Sequence, residues 1–232
     1  MLLAIDTTTA LTGLALADAR GPLAECVWES GRNHTAQLLP QLDLLLRHTG
    51  VERQALRAVA IALGPGSWSG LRVGMSIAKG LVLAGNLVLL GVNSLEALAY
   101  QHGRPGIPLY PLIRLGRDRF ATAPFLPGVA DSGRQGPDRN ITPDELCAML
   151  QQPAMLCGDV DERLLAHLER SGVTSVEVPS PAAALRRPAF LAELAWRRFA
   201  AGDRDDPATI EPIYLGEAVK QVATDALSTS RA

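Results

Sequence analysis

Apolar residues in the first hundred positions come in short runs whose spacing changes along the chain. Leu2-Leu3-Ala4-Ile5 ends at Asp6; Leu11 to Asp18 follows Thr7-Thr8-Thr9; Gly21-Pro22 turns the chain into a third run from Leu23 to Trp28. Short apolar segments bounded by turn residues are strand signals, and their tight connections predict an antiparallel meander. From Thr35 to His48 the period becomes helical, with Leu38, Leu39, Leu42, Leu45 and Leu46 on the stripe, Pro40 early in it and Gly50 as its stop. Arg57 to Leu63 is a continuous apolar run, the pattern of a strand buried on both faces. Gly64-Pro65-Gly66-Ser67 breaks that run. A long helix from Trp68 to Ala84, a strand from Leu87 to Val92 and a helix from Ser94 to His102 follow. The order β-β-β-α-β-α-β-α predicts a mixed sheet whose parallel half is covered by helices.

Arg104-Pro105-Gly106-Ile107-Pro108 has the composition of a linker, so the expected division is an N-terminal lobe, 1–103, and a C-terminal lobe, 104–232. In the second lobe, strands are expected at Leu109 to Ile113, Phe120 to Phe125 and Ala154 to Cys157. Thr142 with Glu145 three residues later forms a capping box for a helix reaching Leu150. A helix is expected from Asp161 to Arg170. A last helical stripe (Leu185, Leu191, Leu194, Ala195, Phe199) begins properly near Pro188, and this final helix can pack back on the first lobe. Pro127 to Asn140 is a polar, Gly-rich loop. No repeat at solenoid periods occurs.

Composition narrows the class. The chain has 232 residues, 47% of them hydrophobic, which excludes a disordered chain. Its 22 basic and 24 acidic residues give a net charge of −2, so no basic excess is available to hold a phosphate backbone by charge alone. Cys26, Cys147 and Cys157 form no CxxC pair, and no signal peptide or membrane-length apolar run is evident, which predicts a cytoplasmic protein.

Three constellations could carry chemistry. Asp6-Thr7-Thr8 at a strand end could hold a hydrated Mg²⁺ and a phosphate, or could form a turn whose side chains satisfy local amides. Gly64-Pro65-Gly66-Ser67 precedes a helix whose N-terminal amides favour an anion, although it is no Walker A loop; the alternative is a turn capped by Ser67 or Ser69. Gly70, Gly74 and Ala78 are four residues apart and form a bare stripe that invites close approach of another backbone, from the same domain or from another subunit. His34, His48, His102 and His167 have no metal-ligand spacing, and no nucleophile–base motif occurs.

The stretch IALGPGSWSGLRVGMSIAKGL from Ile61, together with Ile5-Asp6-Thr7-Thr8, His34-Thr35 before Leu38-Leu39-Pro40, and Glu211-Pro212-Ile213-Tyr214-Leu215, closely resembles the TsaB (YeaZ) family. The resemblance is strong over residues 1 to 103 and patchy beyond. It implies an α/β fold of the actin-like ATPase (sugar kinase, heat-shock, actin) type, with two lobes of mixed β-sheet and packed helices. It also implies a role in forming N6-threonylcarbamoyladenosine at adenosine 37 of tRNAs that read codons beginning with A.

In that family the chain is a non-catalytic subunit that forms a heterodimer with its catalytic paralogue, TsaD, and is joined by an ATPase, TsaE. It is expected to homodimerise when alone, to meet tRNA only through the complex, and to touch no membrane. No cofactor or metal of its own is implied, with ATP or ADP entering at the junction with the partner. The paralogue's metal-binding HxxxH falls here on Ser94 and Leu98, which cannot ligate a metal in that way. On this reading Leu38, Leu42, Gly70, Leu71, Gly74, Met75 and Ala78 form the partner interface. Asp6, Thr7, Thr8, Gly64, Gly66 and Ser67 are then the remnant of a nucleotide site. Arg114, Gly116, Arg119 and Gly216 depart from the family pattern. Two other readings are a small-molecule kinase or ATPase of the same fold superfamily, and a peptidase, for which no metal triad or nucleophile is found.

Overall fold

A computed structural model describes residues 1–31, 33–126 and 133–215. The first lobe holds a sheet of β1 (Leu2–Asp6), β2 (Leu11–Asp18), β3 (Gly21–Glu29), β4 (Ala58–Gly64) and β5 (Val88–Asn93), in the order β3-β2-β1-β4-β5. β1, β2 and β3 form the antiparallel meander, and β1, β4 and β5 run parallel, with Ile5 paired to Leu14 on one side and Ile61 on the other. Between the strands lie α1 (His34–Thr49), α2 (Trp68–Gly85) and, after β5, α3 (Ser94–His102).

The second sheet contains β6 (Leu109–Gly116), β7 (Arg119–Thr122), β8 (Arg139–Ile141), β9 (Ala154–Gly158) and β10 (Val176–Glu177), in the order β10-β9-β6-β7-β8. Its helices are α4 (Pro143–Met149) and α5 (Glu162–Arg170), followed by the short α6 (Pro181–Ala184) and then α7 (Pro188–Ala200). β6, β7 and β8 form a meander, and β9 and β10 run parallel to β6, so the second lobe repeats the topology of the first.

The helices that close the two units are exchanged. α3 sends Leu95, Leu98 and Ala99 into the core of the second sheet, beside Leu109, Ile113 and Met155. α7 lays Leu191, Ala192 and Ala195 on an alanine-rich face of the first sheet: Ala4, Ala15, Ala17, Ala58, Ala60 and Ala62. The opposite face of the first sheet carries larger residues (Leu3, Ile5, Leu14, Leu16, Ile61) and packs on α1 and α2.

Most expected elements are present. The capping box at Thr142 and Glu145 is formed, and α7 begins at Pro188. The strand expected from Phe120 to Phe125 stops at Thr122, beyond which Phe125 pairs singly with Leu109 and Arg134. Of the loop expected from Pro127 to Asn140, residues 127–132 lie outside the described residues, as does Gly216; from Arg139 the chain is strand β8.

After α7 the chain runs along the outer edge of β5. The Asp205 carboxylate accepts the Gly91 N–H (2.7 Å) and Arg198 donates to the Gly91 carbonyl (2.6 Å), so side chains satisfy this edge. The strap then crosses between lobes: Ile210 packs in the first core, the Ile213 N–H donates to the Leu63 carbonyl (2.8 Å), and the Asn140 side chain donates to the Leu215 carbonyl (2.6 Å).

α1 is pinned at its start by a buried polar triangle. His34 Nδ1 lies 2.7 Å from Thr12 Oγ1 and 2.8 Å from Ser30 Oγ, and the two hydroxyls are 2.8 Å apart. Burial holds the His34 imidazole below its ordinary value of 6.5, against the opposing pull of Asp6, and burial does the same to His102. Such groups bind a proton more readily in the unfolded chain, so stability rises with pH across the interval just below 6.5 and is lost as pH falls through it. The urea midpoint is therefore expected to drop between pH 7 and 5, with a shallower drop in His34→Gln; equal slopes would refute the assignment.

Candidate functional site

The carboxyl ends of β1, β4, β6 and β9 meet at a cleft between the lobes, the place where α/β sheets commonly present ligand sites. It encloses about 1350 Å³. The first lobe contributes Thr8, Thr9, Gly66, Ser67 and Trp68, and the second contributes Arg114, Gly116, Asp159 and Asp161. Tyr214 and Leu215 of the strap also line it.

At the base of the cleft, the expected phosphate residues are brought together and turned on one another. Asp6 Oδ1 accepts the backbone N–H (2.9 Å) and hydroxyl (2.6 Å) of Thr8, while Oδ2 accepts from Arg186 Nη2 (3.0 Å). The Thr7 hydroxyl donates to the Gly70 carbonyl (2.8 Å), and the Ser67 N–H donates to the Thr8 carbonyl (2.7 Å). Ser67 also caps α2 weakly, accepting from the Gly70 N–H at 3.5 Å. Gly66 lies so close to Thr8 that a Cβ on it would stand 2.3 Å from the Thr8 carbonyl oxygen, and Gly64, at φ +97°, faces Leu71 and the Ile213 carbonyl.

These residues do not fit a Mg-nucleotide: the one carboxylate is bound to a threonine and an arginine, and the loop amide of Ser67 is spent on Thr8. The residues expected as a nucleotide remnant, Asp6, Thr7, Thr8, Gly64, Gly66 and Ser67, here form a turn that locks β1 to α2. Among the described residues no three His, Cys, Asp or Glu side chains cluster as metal ligands.

The expected interface residues are also corrected. Leu38, Leu42, Gly70, Leu71, Gly74, Met75 and Ala78 are all buried within this one chain. The small-residue stripe turns inward because the β1–β2 turn needs it bare. A Cβ on Gly70 would stand 2.0 Å from the Thr7 carbonyl oxygen, and one on Gly74 would stand 2.2 Å from Thr7 Oγ1 and 3.1 Å from Ile61. Leu38, Leu71 and Met75 fill the core beside it. The outward faces of α1 and α2 carry other residues, including Leu39 (48% exposed) and Leu83 (76% exposed). Leu39, Leu46, Leu56, Leu81 and Leu87 line an apolar groove of about 710 Å³ there, edged by Asp43, Arg53 and Arg57, and of the expected interface residues Leu42 alone reaches it.

Sequence reasoning missed Arg186, which lies 180 positions from Asp6. Its side chain is 9% exposed, and its Nη1 is buried without a partner among the described residues. The departure at Arg114 has a local account: its backbone N–H donates to Asp159 (2.8 Å), its guanidinium bonds Asp161 (2.6 Å) and stacks on Phe120 (4.6 Å). Arg119 stands 3.8 Å from Glu145, and Gly116 lies open to the cleft.

Two stability measurements check this geometry. Gly70→Ala is expected to cost about 3 kcal/mol through overpacking against Thr7, read by urea unfolding. Arg186→Ala is expected to cost about 2–4 kcal/mol by stranding the Asp6 carboxylate. Adding Asp6→Asn should recover part of that loss; no recovery would mean the pair contributes little.

Comparison with known proteins agrees with this architecture. The family described as "TsaD: tRNA N6-adenosine threonylcarbamoyltransferase" matches residues 28–124. The tRNA threonylcarbamoyladenosine biosynthesis protein TsaB of Haemophilus influenzae is 28% identical over 219 residues, covering 92% of each chain. TsaB of Bacillus subtilis is 35% identical over 98 residues, 42% of this chain and 43% of that one. The structure of YeaZ from Pseudomonas aeruginosa superposes with a TM-score of 0.75 at 23% identity, covering 92% of this chain and 99% of that one. The two mixed sheets and their helices form the two-lobed actin-like ATPase fold. In the GPGS loop and its helix, in the Tyr214-Leu215 strap, and in alignment over nearly the whole chain, this protein is similar to the TsaB (YeaZ) family.

Proposed function

We propose that this chain is a non-catalytic subunit in the formation of N6-threonylcarbamoyladenosine at position 37 of tRNA, and that it works by binding a TsaD-like catalytic paralogue. The observation that carries the reading is the closed base of the cleft, where Arg186 and Thr8 occupy the Asp6 carboxylate that a kinase or ATPase of this fold would need for its metal. Ser94 and Leu98, at the positions of the paralogue's metal-binding histidines, are both buried in the fold and offer no imidazole. The related TsaB proteins are named for this biosynthesis.

On this reading the outward apolar faces of α1 and α2 are the docking surface. Leu39 and Leu83 are too exposed to serve the chain's own core, and the adjoining groove offers a cavity for the partner's side chains. The same surface closes on a second copy when the chain is alone. A TsaE-like ATPase joins the heterodimer, ATP or ADP enters at the junction between subunits, and tRNA meets the chain within the complex. No helix among the described residues is long and apolar enough to cross a membrane. We assign the chain to the cytoplasm.

Light scattering on a sizing column tests the reading. A mixture with the catalytic paralogue of the same organism is expected to elute as a one-to-one heterodimer. Leu39→Glu with Leu83→Glu should weaken it on the order of tenfold or more while leaving the thermal midpoint unchanged. A chain that ignores the paralogue would overturn the proposal.

A further inference from the structure

Only 4% of the residues are aromatic, yet Trp68 (61% exposed) and Tyr214 (46% exposed) both line the cleft between the lobes. Leaving two large rings in water sacrifices burial that a chain so poor in aromatics could use in its core. Both rings are mounted on rigid backbone. Trp68 opens α2 directly after the Ser67 cap, and the Arg72 guanidinium stacks 4.5 Å from its ring. Tyr214 lies on the strap between two anchors, the Ile213 N–H on Leu63 and the Leu215 carbonyl on Asn140.

Charge and size narrow the ligand. The described lining has one more carboxylate than cations, with Asp159 and Asp161 against Arg114, and the Asp6 carboxylate beneath it is already bound, so a polyphosphate placed among these residues meets net repulsion. The volume, about 1350 Å³, exceeds what a single small molecule fills. Exposed rings on a rigid frame, backed by an arginine, suit bases stacked face to face, a mode that tolerates any base because each has a flat π-face.

We infer that this cleft binds unpaired bases of an RNA loop, stacked on Trp68 and Tyr214. The RNA is a loop rather than a duplex because only unstacked bases can enter between the lobes, and its phosphates remain outside, toward Arg72. The inference rests on the tRNA reading above and assigns this chain a direct contact with the RNA.

The test uses the heterodimer with the catalytic paralogue and a fluorescein-labelled anticodon stem-loop RNA, followed by anisotropy at fixed salt. Trp68→Ala and Tyr214→Ala are each expected to weaken binding roughly 5- to 100-fold, with Trp68→Phe retaining most of the affinity. Sizing and thermal unfolding establish that each variant remains folded and paired. Unchanged RNA affinity in both folded alanine variants would overturn the inference while leaving the partner-subunit reading intact. Displacement of the RNA by micromolar ATP, but not by unlabelled stem-loop, would overturn it in favour of a free nucleotide. Failure of the wild-type chain to pair with the paralogue would instead strike the proposed function. In that case anisotropy with the chain alone still decides this inference: binding that both alanine variants lose supports it, and no binding overturns it.

Discussion

The arrangement rests on one contact, the van der Waals meeting of the β1–β2 turn with the first turns of α2. The Thr7 hydroxyl reaches the Gly70 carbonyl and the Thr8 carbonyl accepts the Ser67 amide, which is possible only where positions 66, 70 and 74 carry no side chain. Glycine in a helix interior costs about 1 kcal/mol each relative to alanine. That cost is offset by backbone groups satisfied at the base of a cleft, where water would otherwise have to reach them. The same contact spends the polar groups of the turn on α2, on Thr8 and on Arg186.

The lobes are bound to each other by more than the linker at 104–108. Each surrenders a helix to the other's sheet, α3 to the second and α7 to the first, and the strap from Asp205 to Leu215 places Ile210 in one core and Leu215 against the other. Between β5 and the second lobe, Arg134 bonds Glu96 and Asp138, and Asp138 in turn accepts from Asn93. The cleft is thus framed by side chains and helices that each lobe gives to the other.

Local pattern disclosed much of this and long-range pairing very little. The strands and helices of the first lobe follow from apolar periodicity to within one or two residues, and the capping box at Thr142 and the proline start of α7 were readable because each is written within a few positions. The bare stripe of Gly70, Gly74 and Ala78 announced a close approach, but periodicity carries no information on whether the neighbour is Thr7 or another molecule. β8 and β10 are three and two residues long and held by pairing to other segments, so their own sequence is a weak signal. Asp6 and Arg186 are brought together by the whole topology.

The exchange of α7 has a consequence for the chain as it is made. The face of the first sheet that α7 covers is complete by Asn93, but its cover lies a hundred residues further on, so on the ribosome that face waits bare while the second lobe is synthesised. It is built chiefly of alanine, with Leu2, Leu90 and Val92 as its larger members, and so presents far less adhesive surface than the leucine-rich face under α1 and α2, whose covers are translated in step with their strands. The nascent protein thereby leaves its mildest surface uncovered for longest.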